Sequence, residues 1–145
     1  MRAYADAGFL CSLYALDRHT PRAAARMKRQ VLPLPHTWLH QLELRNALRL
    51  RVFRGEITAS QRDASLNMIL ADLAGGVLVA ASPALGAIMT EAERLSALHT
   101  ETLGTRSLDV LHVAAALVLG LKELLTFDAR QAALARASGL RAPTL

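Results

Sequence analysis

The chain opens with Arg2-Ala3-Tyr4-Ala5-Asp6, an apolar run that ends in an acid, and repeats this arrangement at Leu124-Leu125-Thr126-Phe127-Asp128. A strand that ends in an acid just before a helix places a carboxylate at the carboxyl edge of a sheet. In open α/β folds this edge is where ligands bind. The two runs therefore predict an α/β fold whose binding edge carries acids.

Short apolar runs and helical patterns alternate along the rest of the chain. Further strands are predicted at Val31–Leu34, which Pro35 should end, at Val77–Ala80, at Leu124–Phe127 and at a last edge near Arg141-Ala142. Thr20 and Ser107 are expected to cap helices. The predicted helices are Ala7–Leu16, Pro21–Gln30, Thr37–Val52, Ala59–Leu73, Pro83–Leu98 (with a possible break), Leu108–Leu119 and Ala129–Ala137.

This alternation implies parallel βαβ units with helices on both faces of the sheet. We therefore expect one domain over residues 1–145, a three-layer α/β/α fold with a short parallel central sheet. With 52% hydrophobic residues, 145 residues can bury a full core without a disulfide or a metal. The one cysteine, Cys11, favours a reducing compartment and reads as small core filler.

A membrane span is not expected, because the longest uncharged apolar stretch, Val110–Leu121, is well short of the ~20 residues that a span needs. Asp6 lies inside what would be the hydrophobic part of a signal peptide, which argues against secretion. The expected location is the cytoplasm.

Positive charge is concentrated in the first third of the chain. Residues 1–54 hold ten Lys or Arg against three acids, whereas residues 55–145 hold seven against nine. Fifteen of the seventeen basic residues are Arg, which binds phosphate in a bidentate fork. A polyanionic partner is one interpretation. A solvated helix face in an Arg-rich composition is the other, and charge alone leaves both open.

Four carboxylates, Asp6, Glu43, Asp109 and Asp128, lie among apolar residues. Three of them fall at predicted helix starts, where an acid can simply cap the free amides. Glu43 is in the middle of a helix, on a stripe with Leu39, Asn46, Ala47 and Leu50 that we expect to face the core. It therefore needs another explanation, such as an ion pair. Burying a carboxylate without a partner costs on the order of several kcal/mol of stability, or shifts its pKa until the group is neutral.

A cluster of such acids at one sheet edge would repel itself unless a cation were bound there. Oxygen ligands suit Mg²⁺ or Mn²⁺, which can activate water and neutralise charge on a phosphoryl group. Thr126 and Asn46 would add polar groups near the acids. His112 follows Asp109 by one helical turn and is expected to be a core or second-shell histidine rather than a general base.

Taken together, these residues resemble the ordered motifs of PIN-domain ribonucleases, and among them the VapC-like toxins. The matching segments are Tyr4-Ala5-Asp6, residues 42–48 (LELRNAL), residues 106–117 (RSLDVLHVAAAL) and Thr126-Phe127-Asp128. The resemblance covers essentially the whole chain. One position departs from it, because the family usually has Ser or Thr two residues after its first Asp and this chain has Gly8.

The resemblance implies a metal-dependent endoribonuclease, the toxin of a toxin–antitoxin pair, which hydrolyses phosphodiester bonds in tRNA, rRNA or mRNA. It assigns metal binding and catalysis to the four acids. Thr126 would be the hydroxyl residue that precedes the last acid, and Asn46 would supply the amide that orients Glu43. It also implies a homodimer and an antitoxin that blocks the acidic site. Arginines expected to hold substrate phosphates are Arg45, Arg49 and Arg106.

Two other functions remain open. The acids could be caps and a dock for a basic peptide in a non-catalytic binding module, which would not bind divalent metal. The chain could also be a structure-selective DNA nuclease of similar architecture, which competition between RNA and DNA would reveal. A zinc site at His36 and His40 is disfavoured, because the H-E-x-x-H glutamate is missing.

Overall fold

A computed structural model of the protein describes residues 1–30 and 33–145. In this part of the chain, short strands run parallel in two adjoining pairs. Strand β1 (Ala3–Ala5) pairs with β4 (Glu123–Leu125), and β2 (Leu34–His36) pairs with β3 (Leu78–Ala80). Ala5 lies opposite Leu125, so the residues that follow β1 and β4 emerge side by side. The predicted α/β class with short parallel strands is confirmed.

Helices connect the strands, and most lie close to their predicted positions. After α5 the chain continues through a π-helical turn, Ser96–Thr100, which accounts for the break expected in this region. Gly104, with a positive φ of 66°, then ends the short α6. The helices are α1 (Ala7–Tyr14), α2 (Thr20–Met27), α3 (Trp38–Phe53), α4 (Ala59–Ala74), α5 (Leu85–Leu95), α6 (Glu101–Leu103), α7 (Ser107–Val118) and α8 (Ala129–Ala137).

The strands separate two apolar clusters because alternate residues of a strand point to opposite faces. Tyr4 and Leu124 belong to one cluster, and Ala3, Ala5 and Leu125 belong to the other. Helices α5, α7 and α8 supply most of the first cluster, and α1 to α4 supply the second. Helices therefore cover both faces of the strands, consistent with a three-layer arrangement. Among the described residues, no helix is both long enough and apolar enough to cross a bilayer.

The second strand differs from its prediction. Val31 and Leu32 lie outside the described residues, and the strand spans Leu34–His36, so Pro35 lies inside it rather than ending it. The hydrogen bonds explain how this is possible. Leu34 donates to the Val77 carbonyl and Ala81 donates to the His36 carbonyl, so the proline nitrogen points away from β3 and no ladder bond is lost.

Three boundary predictions were also wrong in detail. The N-cap of α7 is Arg106, and Ser107 is the first residue of the helix. Thr20 likewise begins α2, with His19 at the cap. The predicted last strand is reduced to one parallel bridge between Arg141 and Glu123.

Candidate active site

Asp6 lies directly after β1 and is 7% exposed. Its Oδ1 accepts a hydrogen bond of 2.6 Å from the Phe9 amide, which makes it the N-cap of α1. Its Oδ2 accepts a second bond of 2.6 Å from the Thr126 hydroxyl. Burial raises the pKa of Asp6 to about 6, although both hydrogen bonds oppose this change. The carboxyl group is thus held in place but poorly compensated for its charge.

Thr126 joins the ends of the two paired strands. It follows β4, and its hydroxyl donates to Asp6 while accepting a bond of 3.0 Å from the Asp128 amide. Asp128 in turn caps α8 by accepting a bond of 2.8 Å from the Gln131 amide. The parallel register explains this meeting, since the Asp6 amide donates to the Leu125 carbonyl and extends the ladder by one step. The structure therefore brings the two strand-ending acids to one edge.

Asp109 reaches the same edge from the first turn of α7, where Arg106 connects it to Asp128. Arg106 Nε lies 3.3 Å from Asp109 Oδ2, and its Nη2 lies 3.9 Å from Asp128 Oδ2. These three side chains line a cleft of about 390 Å³ together with Ala129 and Arg130. The Arg106 side chain is 78% exposed, so little packing holds its guanidinium between the two acids.

Glu43 begins a buried chain of hydrogen bonds that runs into the interior of the protein. Its Oε2 pairs with Nε2 of His112, and His112 Nδ1 lies 2.9 Å from the Tyr4 hydroxyl. The Tyr4 hydroxyl is also 3.4 Å from the hydroxyl of Thr37. Burial raises the pKa of Tyr4, so this hydroxyl keeps its proton and can donate it to Nδ1 of His112. The His112 Nε2–H is then directed at Glu43. His112 thus lies where a core or second-shell histidine was expected.

His40 connects α3 to β1. Its Nε2 is 2.8 Å from the Ala5 carbonyl, and its Nδ1 accepts a bond of 2.9 Å from the Thr37 amide. These contacts require a neutral ring protonated at Nε2. Burial lowers the pKa of His40 to about 3, which agrees with that form. His36 and His40, for which a zinc site was disfavoured, are both buried. His40 instead links α3 to β1 through its two ring nitrogens.

The prediction for the buried face of α3 was wrong at Leu50, although Leu39 is buried as expected. Leu44 and Leu48 are fully buried, whereas Leu50, expected on the core stripe with Glu43, is 40% exposed. The Glu43 side chain is 30% exposed and lies at the border of the buried face. This position lets one carboxylate oxygen meet buried His112 while the group remains open to solvent.

The other predicted site residues, Asn46, Arg45 and Arg49, do not take part in the hydrogen bonds described for the acids. Asn46 lines an apolar cleft of about 310 Å³ next to Glu43, formed with Trp38, Leu42 and Leu108. In the described part of the chain it has no hydrogen bond to Glu43. Arg45 donates to the backbone of its own helix, and Arg49 is exposed. The sequence reasoning missed Tyr4, Thr37 and His40; a Thr followed three residues later by His at a helix start was the available signal.

Gly8 leaves open space over Asp6. A Cβ added at this position would lie 3.6 Å from Asp6 Oδ1 and 3.7 Å from Oδ2, at ordinary contact distance. A hydroxyl at position 8 would therefore reach the carboxylate. The residue that departs from the PIN pattern is thus beside the acid that the pattern would support.

The donor atoms have the chemistry of a hard-cation site, but their side chains are engaged elsewhere. Within residues 1–30 and 33–145, no three His, Cys, Asp or Glu side chains form a group that could hold a metal ion. Instead, the guanidinium of Arg106 supplies the positive charge between Asp109 and Asp128. Metal binding stays a prediction.

No family model matches this chain, and no curated protein sequence matches it. The resemblance to PIN-domain ribonucleases therefore stays a prediction as well.

Proposed function

We propose that this chain is a cytoplasmic, metal-dependent endoribonuclease of the VapC-like toxin type. The observation that carries the proposal is the Thr126 hydroxyl, which donates to the Asp6 carboxylate and accepts from the Asp128 backbone amide where the two parallel strands end. Asp109 adjoins them through Arg106. Asp6, Asp109 and Asp128 come from three separate chain segments and lie near one sheet edge, which helix capping alone does not require.

Under this proposal, Asp6, Glu43, Asp109 and Asp128 hold Mg²⁺ or Mn²⁺. The bound ion supplies an activated water and neutralises charge on the phosphoryl group. Thr126 fixes the orientation of the Asp6 carboxylate, and His112 fixes that of Glu43. Arg106 leaves the space between the acids and contacts a substrate phosphate, which its exposure permits.

The raised pKa of Asp6 supports a cation at this position. A carboxyl group with a pKa of about 6 is partly protonated near neutral pH, and a bound cation would replace that proton.

The proposed partners are RNA, a cognate antitoxin and a second copy of the chain. An antitoxin would block the site by placing a basic side chain where Arg106 now lies. A homodimer would cover exposed apolar side chains of α3 and α7, where Trp38 is 38%, Leu42 73% and Leu108 48% exposed. Arg45 and Arg49 of α3 would contribute to phosphate binding.

The test is cleavage of a mixed tRNA and rRNA pool by the purified protein in Mn²⁺, in Mg²⁺ and in EDTA. We expect cleavage that requires metal and is abolished by Asp6→Asn and by Asp109→Asn. Asp63→Asn is the matched control, because Asp63 is an exposed acid of α4 outside the site. Cleavage that persists in EDTA would refute the proposal, and single-stranded DNA competing as well as RNA would indicate a DNA nuclease.

One observation favours a second function, a non-catalytic module that docks a basic peptide. Asp109 and Asp128 are paired with Arg106 and Glu43 is paired with His112, so three of the acids already have partners within the protein. A basic side chain from a partner could replace Arg106. Calorimetry separates the two functions. A protein that binds no Mn²⁺ and cuts no RNA would be a docking module.

A further inference from the structure

A second charged cluster lies at the opposite, amino-terminal edge of the strands. Glu123, the first residue of β4, is 7% exposed and pairs with Arg26 and with Arg141, the latter at 2.8 Å. Arg2 and Arg29 line the same pocket, which has a volume of about 250 Å³. Four guanidinium groups thus face one carboxylate among the lining residues, an excess of three positive charges.

Holding Glu123 in place does not require this excess. Arg26 and Arg141 already satisfy both carboxylate oxygens, one each. Arg2 and Arg29 add mutual repulsion and are exposed to solvent. A pocket with surplus guanidinium groups and accessible N–H donors is suited to an anion with several acceptor oxygens, and phosphate is the anion that arginine recognises best.

Helix α2 joins this pocket to the acidic site. Arg22 lies one helical turn before Arg26, and it lines a different cleft, together with Thr126 and Asp128. Arg29 lies in the turn that follows α2, and its amide donates to the Arg26 carbonyl, so it comes just after Arg26 beyond the end of the helix. From Arg22 to Arg26 the helix rises about 6 Å, and β4 covers roughly 10 Å between Glu123 and Thr126. The helix therefore runs alongside the strands from one edge to the other.

The Arg22 end also carries an aromatic surface. The Phe127 ring is stacked against both the buried Phe9 ring and His19, with centroids 5.6 Å and 4.3 Å away, and the Arg22 guanidinium lies 5.3 Å from its centroid. His19 and Arg22 therefore form the outer part of this cluster. Aromatic rings interleaved with arginines are typical of surfaces that bind single-stranded nucleic acid.

We propose that α2 is a track for the RNA backbone. An RNA strand that leaves the acidic site beside Asp128 passes Arg22. Its phosphates then bind in the pocket lined by four arginines, Arg2, Arg26, Arg29 and Arg141. The inference rests on the proposed function in taking the phosphates to be those of RNA. It adds the direction in which the substrate runs and the residues that hold it beyond the scissile bond.

The test measures binding of a fluorescently labelled single-stranded RNA by anisotropy over a range of KCl concentrations in EDTA, where neither metal nor cleavage is involved. Each phosphate contact contributes about 0.7 to the slope of log K against log[KCl] for a single strand. Arg22→Gln with Arg29→Gln should reduce the slope by about 1.4. Arg2→Gln with Arg29→Gln should do the same while leaving the Arg26–Glu123 pair and the Arg22 contacts intact.

Arg94→Gln is the control, because Arg94 is an exposed arginine of α5 that pairs with Glu91. Its slope should match that of the wild type. Unchanged slopes in both double variants, or no RNA binding by the wild type, would overturn the proposal. Inorganic phosphate that binds the wild type, while RNA does not, would show a free-phosphate site and also overturn it.

Cleavage by the same proteins in Mn²⁺ is measured separately. A wild type that binds RNA with the expected slope but never cuts would remove the nuclease function and leave the track. If the wild type cuts RNA but the double variants show an unchanged salt slope, the nuclease function would stand and the RNA track would be removed.

Discussion

Asp6→Asn should stabilise the protein in the absence of metal. Asparagine preserves the two contacts of Asp6, since its oxygen can accept from the Phe9 amide and its NH₂ can donate to the Thr126 hydroxyl. It removes a buried charge. The pKa of Asp6 is about 6 in the folded protein against 3.8 for the free side chain. This difference corresponds to about 3 kcal/mol that opposes folding when the carboxyl group is ionised.

The effect has a definite pH window. Because folding raises this pKa, the unfolded chain releases its proton at lower pH than the folded protein does. Below pH 3.8 the Asp6 carboxyl group is protonated in both states and does not reduce the stability of the wild type. As the pH rises through about 6, ionisation of the buried group lowers the stability of the wild type. The advantage of Asp6→Asn should therefore be about 3 kcal/mol at pH 8, roughly half of this at pH 5, and close to zero below the unfolded pKa.

Urea unfolding of the wild type and Asp6→Asn from pH 4 to pH 8 in EDTA measures this difference. Other titrating groups are shared by the two proteins and cancel. Asp63→Asn provides the control, because its side chain is 61% exposed and should give a difference that hardly changes with pH. An Asp6→Asn advantage that stays constant over this range would refute the idea that the carboxyl group is buried without compensation.

Three further outcomes follow from the site. Mn²⁺ should raise the melting temperature of the wild type but not that of Asp109→Asn, as differential scanning fluorimetry would show; equal shifts would place the ion elsewhere. Gly8→Ser should increase the urea-derived free energy of unfolding by about 0.5 kcal/mol, through helix propensity and a hydroxyl bond to Asp6, and a decrease would contradict the open space above that acid. His112→Leu should reduce the same free energy by about 1–3 kcal/mol, because the Tyr4 hydroxyl and Glu43 lose a partner, whereas His99→Leu should have little effect.

Local patterns predicted the parts of the fold that depend on neighbouring residues. The apolar runs ending in Asp6 and Asp128 do form paired parallel strands, and both acids cap the helices that follow. Their meeting at Thr126 could be anticipated, because parallel strands place their carboxyl ends together. Pro35 misled the prediction, since only the partner strand determines which side of β2 needs its amides.

The buried polar contacts could not be predicted in the same way. Tyr4 and His112 are 108 residues apart, and His112 and Glu43 are 69 apart, so nothing local links them. The face of α3 was misjudged for a related reason. Helical periodicity allowed Glu43 and Leu50 to share the core stripe, but packing against α1 and α4 buried Leu44 and Leu48 instead.

The His40 link has a consequence for the order of folding. Strands β1 and β2 are neighbours, yet within the described residues their backbones form no common ladder, and the Ala5 carbonyl bonds instead to a side chain from the first turn of α3. This hydrogen bond between the two strand pairs can form only after that turn has formed. We expect this turn to be structured in the transition state for folding. Replacing His40 by alanine should therefore slow refolding more than it speeds unfolding.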